Sequence, residues 1–406
     1  MMPSVLSFTA KRRAAQPEQQ AGRNVVDLLA FIALAIWLYL IAARGDFWIA
    51  GERGFVAPPP AAWPQVIAVV PARDEADGVA ETVGSLLGQD YAGEFTVVLV
   101  DDQSTDGTAE LARHAAASAR AADRLTVISG SPLPSGWTGK LWAMQQGVAE
   151  AMTRTPAYLL FTDADIVYRP DALTRLVTQA EAKQLVLTSW MVKLRCEDII
   201  EKLFIPAFVY FFQMLYPFAW VNRAGDATAA AAGGCMLVRR DALEAAGGIQ
   251  SIRGALIDDC ALAARLKRHG PIQLTLTDDA HSSRPYSEFQ DVRQMIARSA
   301  YAQLQYSPVL LAGTIAGMLL TYILPVLFAL FGGDAAQTMG WVTWAIMAVS
   351  FVPMLRFYRL SPAWAPLLPL IALGYMAFTL DSAYQHTQGR GGYWKGRTQA
   401  DMGGAS

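Results

Sequence analysis

The 406-residue chain is too long for one ordinary hydrophobic core, and it is 53% hydrophobic with only 17% charged residues. A formal net charge of −2, with no basic block interleaved with aromatics, gives no electrostatic case for nucleic acid. Three cysteines, Cys196, Cys235 and Cys260, are odd in number and lack close metal-type spacing, as expected of reduced thiols in a cytoplasmic domain.

Residues 1–24 form a tail in which Lys11, Arg12, Arg13 and Arg23 precede the first apolar stretch, 28–43. The stretch is long and no small-residue cleavage site precedes Asp46-Phe47-Trp48, so 25–45 is expected to be an uncleaved membrane anchor. Pro58-Pro59-Pro60 then reads as a stiff spacer separating membrane from domain. The rhythm changes at 66–70, a short apolar run of buried-strand type stopped by Pro71, followed by helical spacing over 76–89. Strand signals return at 95–100, 125–128 and 158–161, and helical ones at 108–117 and 140–152. This alternation predicts an α/β domain over 62–300, with a mostly parallel sheet whose ligands collect beyond the carboxyl ends of the strands.

Acidic clusters stand at those ends. Arg73-Asp74-Glu75 follows the first strand, Asp101-Asp102 the second and Asp163-Ala164-Asp165 the fourth. Like charges gathered at one edge cost stability unless a cation or a ligand donor occupies the space between them. Asp163 and Asp165, two residues apart, can both turn toward one hard cation, Mg2+ or Mn2+, that also holds phosphate oxygens; a strand-ending turn with Asp as cap is the plainer alternative. In the stretch from Asp101 to Thr108, Ser104 or Asp106 suffices to cap the next helix. Asp101 and Asp102 are then surplus and suit a base N–H or ribose hydroxyl. No Gly-x-Gly-x-x-Gly follows the first strand and no P-loop occurs, which argues against a dinucleotide or P-loop enzyme. Lys140, opening a helix after Gly136-Trp137-Thr138-Gly139, either steadies a diphosphate or is solvated. Gly233 and Gly234, before Cys235 and a further strand, permit close approach of a ligand. Asp258-Asp259 at a helix start are either functional or complement its dipole.

The ordered set Pro71-Ala-Arg-Asp-Glu, Asp101-Asp-Gln-Ser-Thr-Asp-Gly-Thr, Thr162-Asp-Ala-Asp, Gly233-Gly-Cys-Met and Asp258-Asp-Cys resembles family 2 glycosyltransferases of the GT-A fold. Trp137-Thr-Gly-Lys-Leu-Trp, the run from Ile205-Pro-Ala-Phe through Pro217-Phe-Ala-Trp-Val-Asn, and Arg253-Gly-Ala-Leu-Ile-Asp-Asp look more narrowly like the hopene-associated glycosyltransferase of hopanoid-producing bacteria, over roughly residues 64 to 330. The resemblance implies inverting transfer from a nucleotide sugar, UDP-linked by expectation, to a hopanoid or similar membrane lipid. It implies that Pro71, Arg73, Glu75, Asp101 and Asp102 seat the nucleotide, that Asp163 and Asp165 hold diphosphate and metal, and that Asp259 is the catalytic base. Gly233, Gly234, Cys235 and Asp258 fall in the acceptor region, and Asp258 stands where relatives often carry Glu. Processive synthases carry Gln-x-x-Arg-Trp; here only Arg298 of Met295-Ile-Ala-Arg-Ser remains, which counts against a polymer product and leaves Arg298 as a diphosphate contact.

Three more apolar stretches, 307–333, 337–355 and 361–380, are long enough to cross a bilayer within a membrane region at 307–384, leaving a tail at 385–406. Residues 199–222 form an aromatic-rich segment in which Pro206 and Pro217 are expected to break any helix, so it is read as interfacial, lying in the headgroup layer; a buried core helix is the alternative. The expected location is the inner membrane, multi-pass, with the catalytic domain cytoplasmic. Four crossings would then strand Lys395 and Arg397 outside, and the basic tail before the anchor would also lie outside. A polyprenyl-phosphate sugar synthase and a nucleotide-binding scaffold without turnover are the competing functions.

Overall fold

The computed structural model describes residues 17–392 and Lys395; Lys11, Arg12, Arg13 and Arg397 lie outside the described residues. The catalytic region holds one eight-stranded mixed sheet: β1 Val66–Ala72, β2 Phe95–Asp101, β3 Leu125–Ser129, β4 Tyr158–Phe161, β5 Ile166–Tyr168, β6 Leu187–Lys193, β7 Met236–Arg239 and β8 Ile272–Ser282. Their spatial order is β3-β2-β1-β4-β7-β6-β8-β5. β7 runs against β4 and β6, and β5 runs against β8; the other neighbours are parallel. The carboxyl ends of β1, β2, β4 and β8 and the amino end of β7 therefore share one edge. β1 does not stop at Pro71. β4 pairs with it only as far as Val69, so proline's missing N–H deprives no ladder partner on that side.

Side-chain alternation along β1 separates two cores. Val66, Ala68 and Val70 pack under the helices Val79–Leu87 and Ala172–Lys183, whereas Ile67 and Val69 face the helix Gly139–Met152. The second core runs without a break into the apolar helices through Trp37, Tyr210, Phe351 and Phe378. Gly147 seats the helix Gly139–Met152 on the sheet: a Cβ there would lie 2.5 Å from Val69 and 2.9 Å from Val100 side-chain atoms. Gly147→Ala should therefore cost about 1–3 kcal/mol by overpacking. Thermal unfolding in detergent checks this, and an unchanged midpoint would contradict it.

Four segments, Ala21–Ala43, Pro308–Phe331, Asp334–Phe357 and Pro362–Thr387, are long and apolar enough to cross a membrane. The segment at 199–222 departs from expectation. A continuous helix, Ile199–Leu215, runs through Pro206 and ends before Pro217. Packing explains the tolerated proline: Ile205, Pro206 and Ala207 are buried, Tyr210 Oη lies 2.7 Å from Ser350 Oγ, and the Phe204 ring packs on Phe378. One face of the helix is thus fixed against the apolar bundle. The stretch before β1 is also more than a spacer. Leu276 N donates to Glu52 O (2.9 Å), Gln179 Nε2 donates to Phe55 O (3.1 Å) and Arg53 pairs with Asp278 (3.2 Å), so residues 52–55 dock on the domain.

Both ends of the last apolar segment lie on the catalytic side. Lys193 at the end of β6 donates to Phe357 O (2.8 Å), just before the segment begins. At its other end His386 stacks on Tyr306 with ring centroids 4.4 Å apart, and Ser382 Oγ accepts from Tyr301 N (3.0 Å). Early in the segment Pro366 O accepts from the indole of Trp344, midway along Asp334–Phe357 (3.0 Å).

Candidate active site

The loops after β1 and β2 are laced together. Asp74 N donates to Ser104 Oγ (3.0 Å), Glu75 N to Thr108 Oγ1 (2.9 Å), Ala76 N to Asp106 Oδ2 (2.9 Å) and Thr105 N to Asp74 Oδ1 (2.9 Å). Asp106 also accepts from Thr108 N (3.0 Å), satisfying the first N–H of the helix Thr108–Ser118, whose cap position is Gly107. Asp101 turns inward, accepting from Ser104 N (3.2 Å). Asp102 is fully buried, 3.8 Å from Arg73 Nη1, which also donates to the Asp102 carbonyl.

A cavity of about 1190 Å3 opens beside these loops, lined by Pro71, Arg73, Glu75, Lys140, Asp163, Asp165 and Arg298 among others. Of the expected nucleotide-sugar residues only Asp101 and Asp102 lie off its wall, behind Arg73. Its acids are not left to repel one another, because cations of the chain already stand between them. Arg284, two residues past β8, grips both Glu75 oxygens (2.7 and 2.9 Å) and donates through Nε to Asp165 Oδ2 (2.9 Å). Burial still leaves Glu75 with a pKa above the usual carboxylate value. Lys140 Nζ sits 2.7 Å from Asp163 Oδ1 and 3.5 Å from Asp258 Oδ2. Burial alone would lower its pKa, but these two carboxylates outweigh burial and raise it, so Lys140 is a charged strut. It also forms part of the cavity wall. Among the described residues Arg298 has no ion-pair or hydrogen-bond partner for its guanidinium.

Asp163 and Asp165 do not converge as the sequence suggested. Asp163 turns to Lys140, while Asp165 Oδ2 takes both Arg284 and Ser282 Oγ (3.0 Å). Among the described residues no group of three His, Cys, Asp or Glu side chains is placed to cage a metal. The half-exposed Asp163 carboxylate nonetheless fits a divalent ion that keeps its waters and takes phosphate oxygens from a substrate, which needs only one or two protein carboxylates.

Asp259 opens the helix Asp258–Leu266 and lies beyond Lys140, off the cavity wall. Its Oδ2 accepts from Gly233 N (2.9 Å) and its Oδ1 from Cys260 N (2.7 Å). Burial and the Asp258 charge push its pKa up to about 6, against the pull of Lys140 and of the two N–H groups. A Cβ on Gly233 would stand 3.3 Å from Lys140 Nζ and 3.4 Å from Asp259 Oδ2, so the glycine keeps this corner open. The Gly234 carbonyl accepts from Tyr168 Oη (3.1 Å). Cys235 is a correction. It is fully buried in the core between β6 and β7, burial pushing its thiol up to about 12, and it presents nothing to an acceptor. Tyr216, at the end of the helix Ile199–Leu215, lies within electrostatic reach of Asp259 and bounds this side.

Residues 158–378, more than half of the chain, match the family described as glycosyl transferase family group 2. The chain belongs to that family. The description glycosyl transferase family 2 also matches residues 67–247, and the chain is a family 2 glycosyltransferase. Among solved structures it is similar to the mannosyltransferase PcManGT from Pyrobaculum calidifontis, whose complex contains GDP-Man and Mn2+. The likeness has 20% identity and a TM-score of 0.52, covers 89% of this chain and 98% of that one, and shows the GT-A fold. A weaker likeness, to S. aureus TarS 1-349 in complex with UDP-GlcNAc, has 16% identity, a TM-score of 0.40 and coverage of 80% and 92%. Comparison with curated proteins finds no match.

Sequence reasoning about the transferase missed Arg284. The rule that found the acids applied to it equally: Ile272, Leu274 and Leu276 alternate with polar residues as a strand does, and Arg284 follows the strand's end. Glu201 was also missed. Fully buried, it accepts from Tyr286 N (2.8 Å) and Arg195 Nη1 (2.9 Å) and so ties the Arg284 loop to the helix Ile199–Leu215.

Proposed function

We propose that the transferase moves a sugar, with inversion, from a nucleotide sugar to the hydroxyl of a membrane lipid, a hopanoid or similar molecule, at the cytoplasmic face of the inner membrane. The observation that carries this reading is the division of polar groups about Lys140. On one side lies the cavity with Asp163, Arg73 and Glu75; on the other lies Asp259, poised near neutrality beside Gly233 and the aromatic end of an apolar helix. Donor and acceptor then approach from opposite sides, as a single in-line displacement requires. Asp259 takes the acceptor's hydroxyl proton as its oxygen bonds to the anomeric carbon, and the bond from that carbon to the diphosphate breaks. Arg298 receives charge on the leaving diphosphate, and Arg73 with the Asp101-Asp102 loop positions the nucleoside. Asp163 would hold a Mg2+ or Mn2+ ion, which when bound neutralises the diphosphate. Four segments apolar enough to cross a membrane, and the helix Ile199–Leu215 that ends at Tyr216 near Asp259, support a lipid as the acceptor.

Release of nucleoside diphosphate from UDP- and GDP-sugars by purified protein tests donor use. Release should require Mg2+ or Mn2+ and fall to background after chelation. No release under any condition would leave only a nucleotide-binding scaffold.

A further inference from the structure

The chain beyond the last apolar helix returns to the catalytic edge. After Leu368–Thr387 it turns at Gly389 and Gly392, whose φ angles of 69° and 68° suit glycine, and Arg390, Gly391, Gly392 and Lys395 become part of the cavity wall. Lys395 makes three polar contacts with the loop after β1. Its Nζ donates to Asp74 O (2.7 Å) and stands 3.1 Å from Glu75 Oε2, while its carbonyl accepts from Arg73 Nε (2.9 Å). The loop needs holding, because Asp74 occupies the left-handed region at φ 49°, which is unfavourable for a residue with a Cβ. Arg73 passes the restraint on, since its other nitrogen holds Asp102 and the loop after β2. With Lys395 in place the cavity still measures about 1190 Å3, above the roughly 300–1,000 Å3 of small-molecule pockets. The segment is a wall, not a plug.

We infer that this C-terminal strap is a working part of the donor site, with Lys395 the positioning residue that holds Arg73, Asp74 and Glu75 ready for a nucleoside diphosphate. The inference rests on the proposed donor site. It also fixes topology: the strap and the catalytic domain share one side of the membrane, so the chain from 308 to 387 crosses an even number of times. Pro362–Thr387, which follows Phe357 held by Lys193 of β6 and ends at His386 stacked on Tyr306, then enters and leaves on the same side. This removes the conflict that four crossings create for Lys395.

The test is calorimetric binding of UDP and of GDP, each with Mn2+, to full-length wild type, Lys395→Met and Lys395→Arg, alongside donor KM and kcat. Lys395→Met should weaken nucleotide binding and raise donor KM about tenfold, the loss of one charge-assisted contact. Its kcat and thermal midpoint should be nearly unchanged, and Lys395→Arg should restore most of the affinity. Equal or tighter binding by Lys395→Met would overturn the strap's role, as would a fall in kcat with KM unmoved. Wild type that binds neither nucleotide would overturn the donor site itself, a different failure.

Discussion

Asp259→Asn is expected to abolish glycosyl transfer while leaving nucleotide binding nearly intact. The loss should be about 10²–10⁴-fold, the usual contribution of a positioned base. Donor groups are untouched, because Asp259 lies off the cavity wall, within electrostatic reach of Lys140. Wild-type stability depends on pH through the same carboxyl. A carboxyl raised from 3.8 to about 6 by burial gives stability that is fully present below its unfolded pKa and is lost as pH rises through 6. The wild-type rate should correspondingly fall to half near pH 6 on the acid side. Turnover retained by Asp259→Asn would instead favour a lipid phosphate acceptor, already anionic and in no need of a base.

Arg284→Gln should be the most disruptive single change to the site. It removes the side chain that, among the described residues, pairs with both Glu75 and Asp165, leaving two mostly buried carboxylates with only Lys395 on Glu75 and Ser282 Oγ on Asp165. Breaking a buried pair costs roughly 3–5 kcal/mol; because a third of the Arg284 side chain is exposed, about 3 kcal/mol is expected. Without the guanidinium the Glu75 carboxyl, already raised by burial, rises further, so the deficit should grow with pH and partly recover toward pH 5, where a proton replaces the lost cation. Nucleotide affinity should fall more than tenfold as the loop after β1 loses its anchor. Arg284→Lys should recover charge but not the two-carboxylate grip, and so only part of the stability. Wild-type unfolding and donor KM in Arg284→Gln would show that the bridge is incidental.

Much of the fold was legible because strands buried on both faces leave uninterrupted apolar runs. The strand at 158–161 coincides with β4, and those at 66, 95 and 125 begin where β1, β2 and β3 begin. The short strand β5 and the bent β8 were not legible. β5 has three residues, and β8 shifts register between its pairs with Met191 and Lys193 as it curls over the site. The acids of the site were readable from their place after strands, but their partners were not. That Arg284 meets Glu75, or that Lys395 reaches Asp74, depends on contacts across more than 200 residues of chain. The helix through Pro206 was misread for a related reason: local propensity argues against it, and the packing that overrides propensity lies in helices far along the sequence.

The most direct measurement is mass analysis of lipid extracts from cells lacking the transferase, restored with wild type or with Asp259→Asn. The account predicts a membrane lipid heavier by one sugar only where wild type is present, with its sugar-free precursor accumulating in the other two. Identical lipid profiles in all three, or a sugar found on polyprenyl phosphate and made equally well by Asp259→Asn, would contradict it.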